Sequence, residues 1–263
     1  MKLSRGSRAL TALRVTGKYM RRTVSRPRDT RRFVGSILNY IATYNPDAVD
    51  LSALPERPLH DIFPGINEQS VCLQHTVEPK ALPFGEAYVL ASVASYVRPS
   101  QVFEIGTFTG GGTLIMAQHA GSQCRVFTLD MPPGEENLML QGLEEDPPEQ
   151  ESQRIGERFR NTPYEPQITQ LFGDSATFDY GQYRGNVDLV FVDGSHSYSY
   201  VKSDTFKALE MLSETGTIIW DDCSMQYPGV VRALQGFNKK LDIYRVPSTR
   251  FAIYTRHPGS QGG

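Results

Sequence analysis

Cysteine is scarce in this chain of 263 residues: Cys72, Cys124 and Cys223 lie far apart and without C-x-x-C spacing. Neither a disulfide framework nor a zinc knuckle is indicated, and a reducing compartment fits best. Long apolar runs are missing too, since no stretch approaches the roughly 20 residues that span a bilayer as a helix. With 39% hydrophobic residues the composition is that of a soluble globular protein. Acids are nearly absent from residues 1–32, where eleven Lys or Arg stand against Asp29 alone; the rest of the chain holds sixteen bases and twenty-eight acids. Bases, in turn, are absent from Glu135 to Glu151, a segment with seven acids that is preceded by Pro132 and Pro133 and broken by Pro147 and Pro148.

The basic tail carries Leu3, Leu10, Leu13, Met20 and Val24 at helical spacing among its arginines, which describes a basic amphipathic helix. Such a helix docks on an anionic membrane or a polyanionic partner, or serves as an Arg-rich signal for organellar import. The alternative is a helix packed on the acidic body or a solvated tail in a cytoplasmic protein. Nucleic acid is not expected, because no aromatic-studded basic surface accompanies the tail and the body would repel phosphate. The acidic segment reads as a solvated loop, a lid or a contact for a basic partner.

A second helical pattern, Phe33, Ile37, Leu38, Ile41 and Tyr44, ends at Asn45-Pro46, and a proline-rich wrapping segment follows to about Pro83. From Gly85 to Val97 the spacing of Ala87, Val89, Leu90, Val93 and Ala94 predicts a helix that Arg98-Pro99 closes. Strands are expected near 102–105, 125–129, 168–172, 188–192 and 216–220, with helices near 112–119, 150–160, 200–212 and 228–238. That alternation implies a parallel sheet with helices on both faces. Leu241–Val246 and Phe251–Thr255, joined by a short turn, imply a closing antiparallel hairpin.

The most informative stretch is Glu104-Ile-Gly-Thr-Phe-Thr-Gly110, where an apolar strand stops at Gly106 and a helical pattern begins after Gly110. Its glycine spacing is not the dinucleotide G-x-G-x-x-G. It resembles the E-x-G-x-x-x-G first motif of class I S-adenosylmethionine-dependent methyltransferases. The resemblance covers about residues 84–256 and implies an α/β, Rossmann-like, seven-stranded and mostly parallel sheet with an antiparallel C-terminal hairpin. Residues 84–263 then form the methyltransferase domain, and residues 1–83 a basic helical extension and wrapping segment. It also implies that Glu104, Gly106, Thr107 and Gly110 face S-adenosylmethionine, that Asp130 after the second strand meets the ribose, and that Asp174 with Ser175 after the third meets the adenine. Read without the resemblance, Asp130 is a turn former and Asp174 an Asx-turn or helix cap.

Chemistry concentrates after the fourth and fifth strands. Val192-Asp-Gly-Ser-His196 sets Asp193 and His196 three residues apart on a tight turn, and Trp220-Asp-Asp222 brings two more carboxylates to the neighbouring strand end. Three carboxylates beside a histidine call for a cation, and hard oxygen donors suit Mg²⁺ or Mn²⁺. The D-G-S-H and W-D-D stretches resemble a subgroup that includes metal-dependent sugar O-methyltransferases, which implies Asp193, Asp221 and Asp222 as metal ligands and His196 as general base. Where the macrolide-sugar enzymes of that subgroup have glutamate, this chain has the shorter Asp221. Without the resemblance, His196 is a loop histidine capping the next helix. The expected function is O-methylation of a hydroxyl on a sugar or other small metabolite. The alternatives are a metal-independent methyltransferase and a silent cofactor-binding scaffold. A homo-oligomer is compatible with all three.

Overall fold

The computed structural model describes residues 49–73, 82–133 and 154–256. The basic tail, the helical pattern at 33–44 and the acidic segment around 135–151 lie outside the described residues. Seven strands, β1 (Gln101–Ile105), β2 (Arg125–Asp130), β3 (Ile168–Phe172), β4 (Val187–Val192), β5 (Leu212–Trp220), β6 (Tyr244–Arg245) and β7 (Ala252–Thr255), make one sheet in the order β3-β2-β1-β4-β5-β7-β6. The first five are parallel, while β7 runs antiparallel to β5 and β6 antiparallel to β7. The chain leaves β1 toward β2 on one side and returns to β4 on the other. The carboxyl ends of β1 and β4 therefore form the switch point at which open α/β sheets place ligands.

Four principal helices, α1 (Phe84–Val97), α2 (Gly111–His119), α3 (Tyr198–Met211) and α4 (Pro228–Phe237), cover the two faces. Strand periodicity decides which side chain meets which helix. On β4, Leu189 and Phe191 pack with Leu90 and Val93 of α1 and Met116 of α2; Val190 and Val192, pointing the other way, pack with Val201, Ala208 and Met211 of α3 and Val231 and Leu234 of α4. A strand buried on both faces has to be apolar at every position, which is why β4 reads as an almost unbroken apolar run. The segment before α1 adds Leu54 to one face and Ile62, Phe63 and Ile66 to the other. It also lies along β6, with Arg57 N donating to Arg245 O and Arg245 N to Pro55 O. Among the described residues no helix is long and apolar enough to cross a membrane.

The seven-stranded sheet and its antiparallel end are as the sequence predicts, and two local expectations are corrected. No helix occupies the described part of 150–160; residues 154–162 form turns. The reason is that Gly156 N donates to Phe108 O and Arg158 N to Thr109 O, both at 2.9 Å, so alternate amides bond to the glycine turn, and the segment keeps only three-residue turns of its own, such as Glu157 N to Arg154 O. β5 starts at Leu212 rather than near 216, because Leu212 pairs with Val187 ahead of a register shift. Asp204 is fully buried on the inner face of α3.

Candidate functional site

Gly106 ends β1 at a φ of 99°, where a Cβ would lie 1.9 Å from the carbonyl oxygen of Asp193. Only glycine permits that approach, and it lets Asp193 N donate to Ile105 O at 2.8 Å across the switch point. The turn is held from the β2 side. Asp130 Oδ2 accepts from Thr107 N at 3.0 Å and Phe108 N at 2.7 Å, while Oδ1 accepts from Met131 N at 2.7 Å. Burial raises the Asp130 pKa, with these three N–H groups working against the rise. A carboxylate has roughly four acceptor positions, so after these three bonds one remains. Gly110, at a φ of 87°, opens α2 and packs under Phe159.

Glu104 works beneath the turn. Its residue is 1% exposed, and its carboxyl accepts from the hydroxyls of Thr128, at 2.5 Å, and Thr113. The first motif's acid therefore ties β1 to β2 and to the first turn of α2. Burial pushes its pKa up to about 8. Because the unfolded value is near 4.5, the native state keeps a proton between those limits that the unfolded chain has lost. This group's contribution is complete below the lower limit and is lost as pH rises toward the upper, by roughly 1 kcal/mol per pH unit. Glu104→Gln is expected to flatten the slope of unfolding free energy against pH between about pH 5 and pH 8, measured by urea titration. An unchanged slope would show that the group is already ionised.

After β3, Asp174 Oδ1 accepts from Ala176 N at 2.8 Å, closing the Asx-turn, and both oxygens accept from Tyr200 Oη at 3.1 and 3.2 Å. Ser175 follows, its carbonyl accepting from Tyr180 Oη and its hydroxyl beside buried Asp204. Burial, with the Asp174 charge adding to it, pushes Asp204 up to about 7. Tyr200 and Trp220 are fully buried, and the indole N–H donates to Thr205 Oγ1 at 3.0 Å. Both pack α3 on the sheet and neither lines a pocket.

The carboxyl ends of β4 and β5 converge beside this turn. His196 Nε2 lies 2.6 Å from Asp222 Oδ2, and the imidazole stacks on Tyr227, ring centroids 4.1 Å apart. Ser197 caps α3 by accepting from Tyr200 N, so the histidine stands just ahead of the helix. Asp222 adopts a φ of 58°, and its amide donates to Asp221 Oδ1 at 2.5 Å. Oxygens of Asp193, Asp221 and Asp222 all lie within 4.8 Å of one another. Burial and the neighbouring Asp221 and Asp222 charges hold Asp193 well above the usual carboxylate range, and burial with Asp222 and Glu86 pushes Asp221 up to about 7. Asp222 Oδ1 is buried and meets a charged guanidinium, that of Arg250, with Nη1 at 2.8 Å. In kind and spacing these donors fit a hard divalent cation.

Two members of the cluster escaped the sequence reading. Arg250, on the turn between β6 and β7, places Nη1 2.8 Å from Asp222 Oδ1 and Nη2 3.6 Å from Asp221 Oδ2. It also grips Glu86 of α1, with Nε donating to Oε1 at 3.1 Å, Nη2 to Oε2 at 3.0 Å and its backbone N to Oε1 at 3.0 Å. Burial works against the guanidinium charge, but Glu86, Asp221 and Asp222 outweigh it and raise the Arg250 pKa. The available signal was Glu86 itself, 3% exposed within an apolar helix, since a buried acid needs a buried or half-buried base.

Residues 103–223 match a family described as a methyltransferase domain. No curated protein matches the sequence. Among solved structures, the chain is similar to the O-methyltransferase TomG from Streptomyces achromogenes, in complex with SAM (15% identity, 68% of this chain and 82% of that one, TM-score 0.51). It is also similar to a putative O-methyltransferase from Klebsiella pneumoniae (15% identity, 78% and 92%, TM-score 0.50) and to cofactor-bound Rv0187 from MTB (16%, 86% and 97%, TM-score 0.50). At these identities the likeness establishes the fold. The family match, running from β1 through the residues just after β5, places the likeness to a methyltransferase domain on the strands and turns that carry the site.

Proposed function

We propose that this protein is a class I S-adenosylmethionine-dependent methyltransferase that acts on oxygen, methylating a hydroxyl of a sugar or another small metabolite with His196 as general base. The observation that carries the reading is the 2.6 Å contact between His196 Nε2 and the buried carboxylate of Asp222, at the strand ends beside the glycine turn. Asp222 lies against Nε2, which orients the ring and stabilises the imidazolium that forms. The acceptor hydroxyl gives its proton to the imidazole while its oxygen attacks the sulfonium methyl. The C–S electron pair returns to sulfur, and S-adenosylhomocysteine leaves neutral at that atom. Histidine suits the step because its ordinary pKa is about 6.5. Were Mg²⁺ or Mn²⁺ to displace Arg250 from Asp221 and Asp222 and bind there with Asp193, it would supply a Lewis acid that lowers the pKa of the acceptor hydroxyl.

A second reading, in which transfer needs no metal, is favoured by one observation: the Arg250 guanidinium already lies against Asp221 and Asp222. A silent scaffold is disfavoured, because it has no use for a buried acid aligned on a histidine. The test is transfer of labelled methyl from S-adenosylmethionine to a panel of hydroxylated sugars and small phenols, with products identified by mass spectrometry. An O-methyl product is expected. Methylation of nitrogen or carbon alone, or no transfer despite cofactor binding, sinks the reading.

A further inference from the structure

Arg250 is held from three elements at once. Its main chain is fixed by Cys223 N donating to Arg250 O at 2.8 Å, beside the end of β5. Its guanidinium is forked on Glu86 from α1, and the remaining Nη1 is aimed at Asp222. Swinging the side chain away would orphan Glu86 in an apolar helix face, next to Ala87, Val89 and Leu90, so the charge is not free to leave. A divalent ion shared by Asp193, Asp221 and Asp222 has to enter beside this fixed positive charge and take oxygens that already face it. Like charges at such separation in a half-buried site repel strongly.

We propose that Arg250 is the built-in counter-cation of the site: its guanidinium neutralises Asp221 and Asp222, keeps divalent metals weakly bound, and thereby fixes the Asp222 carboxylate on which His196 is aligned. Arg250 is a positioning residue, acting through Asp222. The inference rests on the O-methyltransferase reading for its catalytic arm only, since the metal arm is read without turnover.

The experiment is a titration of the full-length chain, saturated with S-adenosylhomocysteine, with Mn²⁺ alone, followed by the electron paramagnetic resonance signal of free Mn²⁺. Wild type is expected to leave the added Mn²⁺ mostly free at stoichiometric metal, and R250Q to bind it at least about tenfold more tightly. That gain should disappear when D222N is added to R250Q. Because R250Q leaves Glu86 without its partner and can unfold, the double variant E86Q/R250Q provides the same measurement without a buried orphan acid. R250K keeps the charge without the fork and is expected to fall between wild type and R250Q. Tight stoichiometric Mn²⁺ binding by wild type, abolished in D222N, overturns the proposal. So does folded R250Q or E86Q/R250Q with Mn²⁺ affinity unchanged. In the catalytic arm, wild-type methyl transfer should survive EDTA; loss on EDTA with recovery on Mg²⁺ overturns the role of Arg250 while leaving O-methylation intact. Absence of transfer under every condition removes the O-methyltransferase reading and leaves the Mn²⁺ result to stand alone.

Discussion

His196→Ala is expected to lower kcat for methyl transfer by about 10²–10⁴-fold, while S-adenosylhomocysteine binds as in wild type. Removing the imidazole leaves the acceptor hydroxyl to shed its proton to water, and that is the whole of the expected loss. Asp130 is bonded to the turn it supports, at Thr107 N and Phe108 N, so that turn keeps its shape without the imidazole. The defect should thus lie in kcat, with cofactor affinity from calorimetry unchanged. Asp222→Asn is expected to reproduce part of it, because the amide can turn a donor toward Nε2 and select the wrong tautomer. Full activity in His196→Ala would show that the acceptor arrives ionised or is deprotonated elsewhere. Cofactor affinity falling together with activity would show that the histidine is structural.

Gly106→Ala is expected to give the largest loss of stability of any single methyl addition in the turn. A Cβ there meets Asp193 O at 1.9 Å, Asp193 C at 2.5 Å and Gly194 N at 2.8 Å, and all three are backbone atoms. A flexible side chain could move aside; the main chain at the end of β4 can move only by breaking the bond from Asp193 N to Ile105 O. Positive φ adds its own penalty for alanine. Together these should cost about 4 kcal/mol or more, read by urea unfolding, with cofactor binding lost in whatever protein remains folded. Gly121→Ala makes a fair control, since it has a similar φ of 95° but nothing within 4 Å of its added Cβ. It should lose only the strain, on the order of 1–2 kcal/mol. If the two variants proved equally stable, β1 and β4 would not be pressed together as described.

Local pattern carried much of this molecule. The apolar run Val187–Val192 could only be a strand buried on both faces, and the glycine turn marked the switch point before any coordinate did. Asp193, His196 and Asp222 were legible because the ends of neighbouring parallel strands bring turn residues together, and the alternation of strands and helices was visible. What stayed hidden depends on contacts made far along the chain. Residues 154–160 look helical in isolation, yet bonds to Phe108 and Thr109 claim their backbone. Arg250 sat in an ordinary hairpin turn, and only the folded sheet brings α1 and that hairpin to the same carboxylates.

The grip of Arg250 on Glu86 joins positions 164 residues apart. A ribosome adding roughly 5–20 residues per second needs roughly ten to thirty seconds to travel between them. Throughout that interval α1 carries an acid whose partner has not yet been made, so the helix cannot settle on the sheet at its final cost. Vectorial folding from the N-terminus is thereby discouraged. The closing hairpin acts as the latch that commits the nascent chain, and a polypeptide interrupted before Arg250 is expected to present an unfinished α1 face to chaperones and proteases.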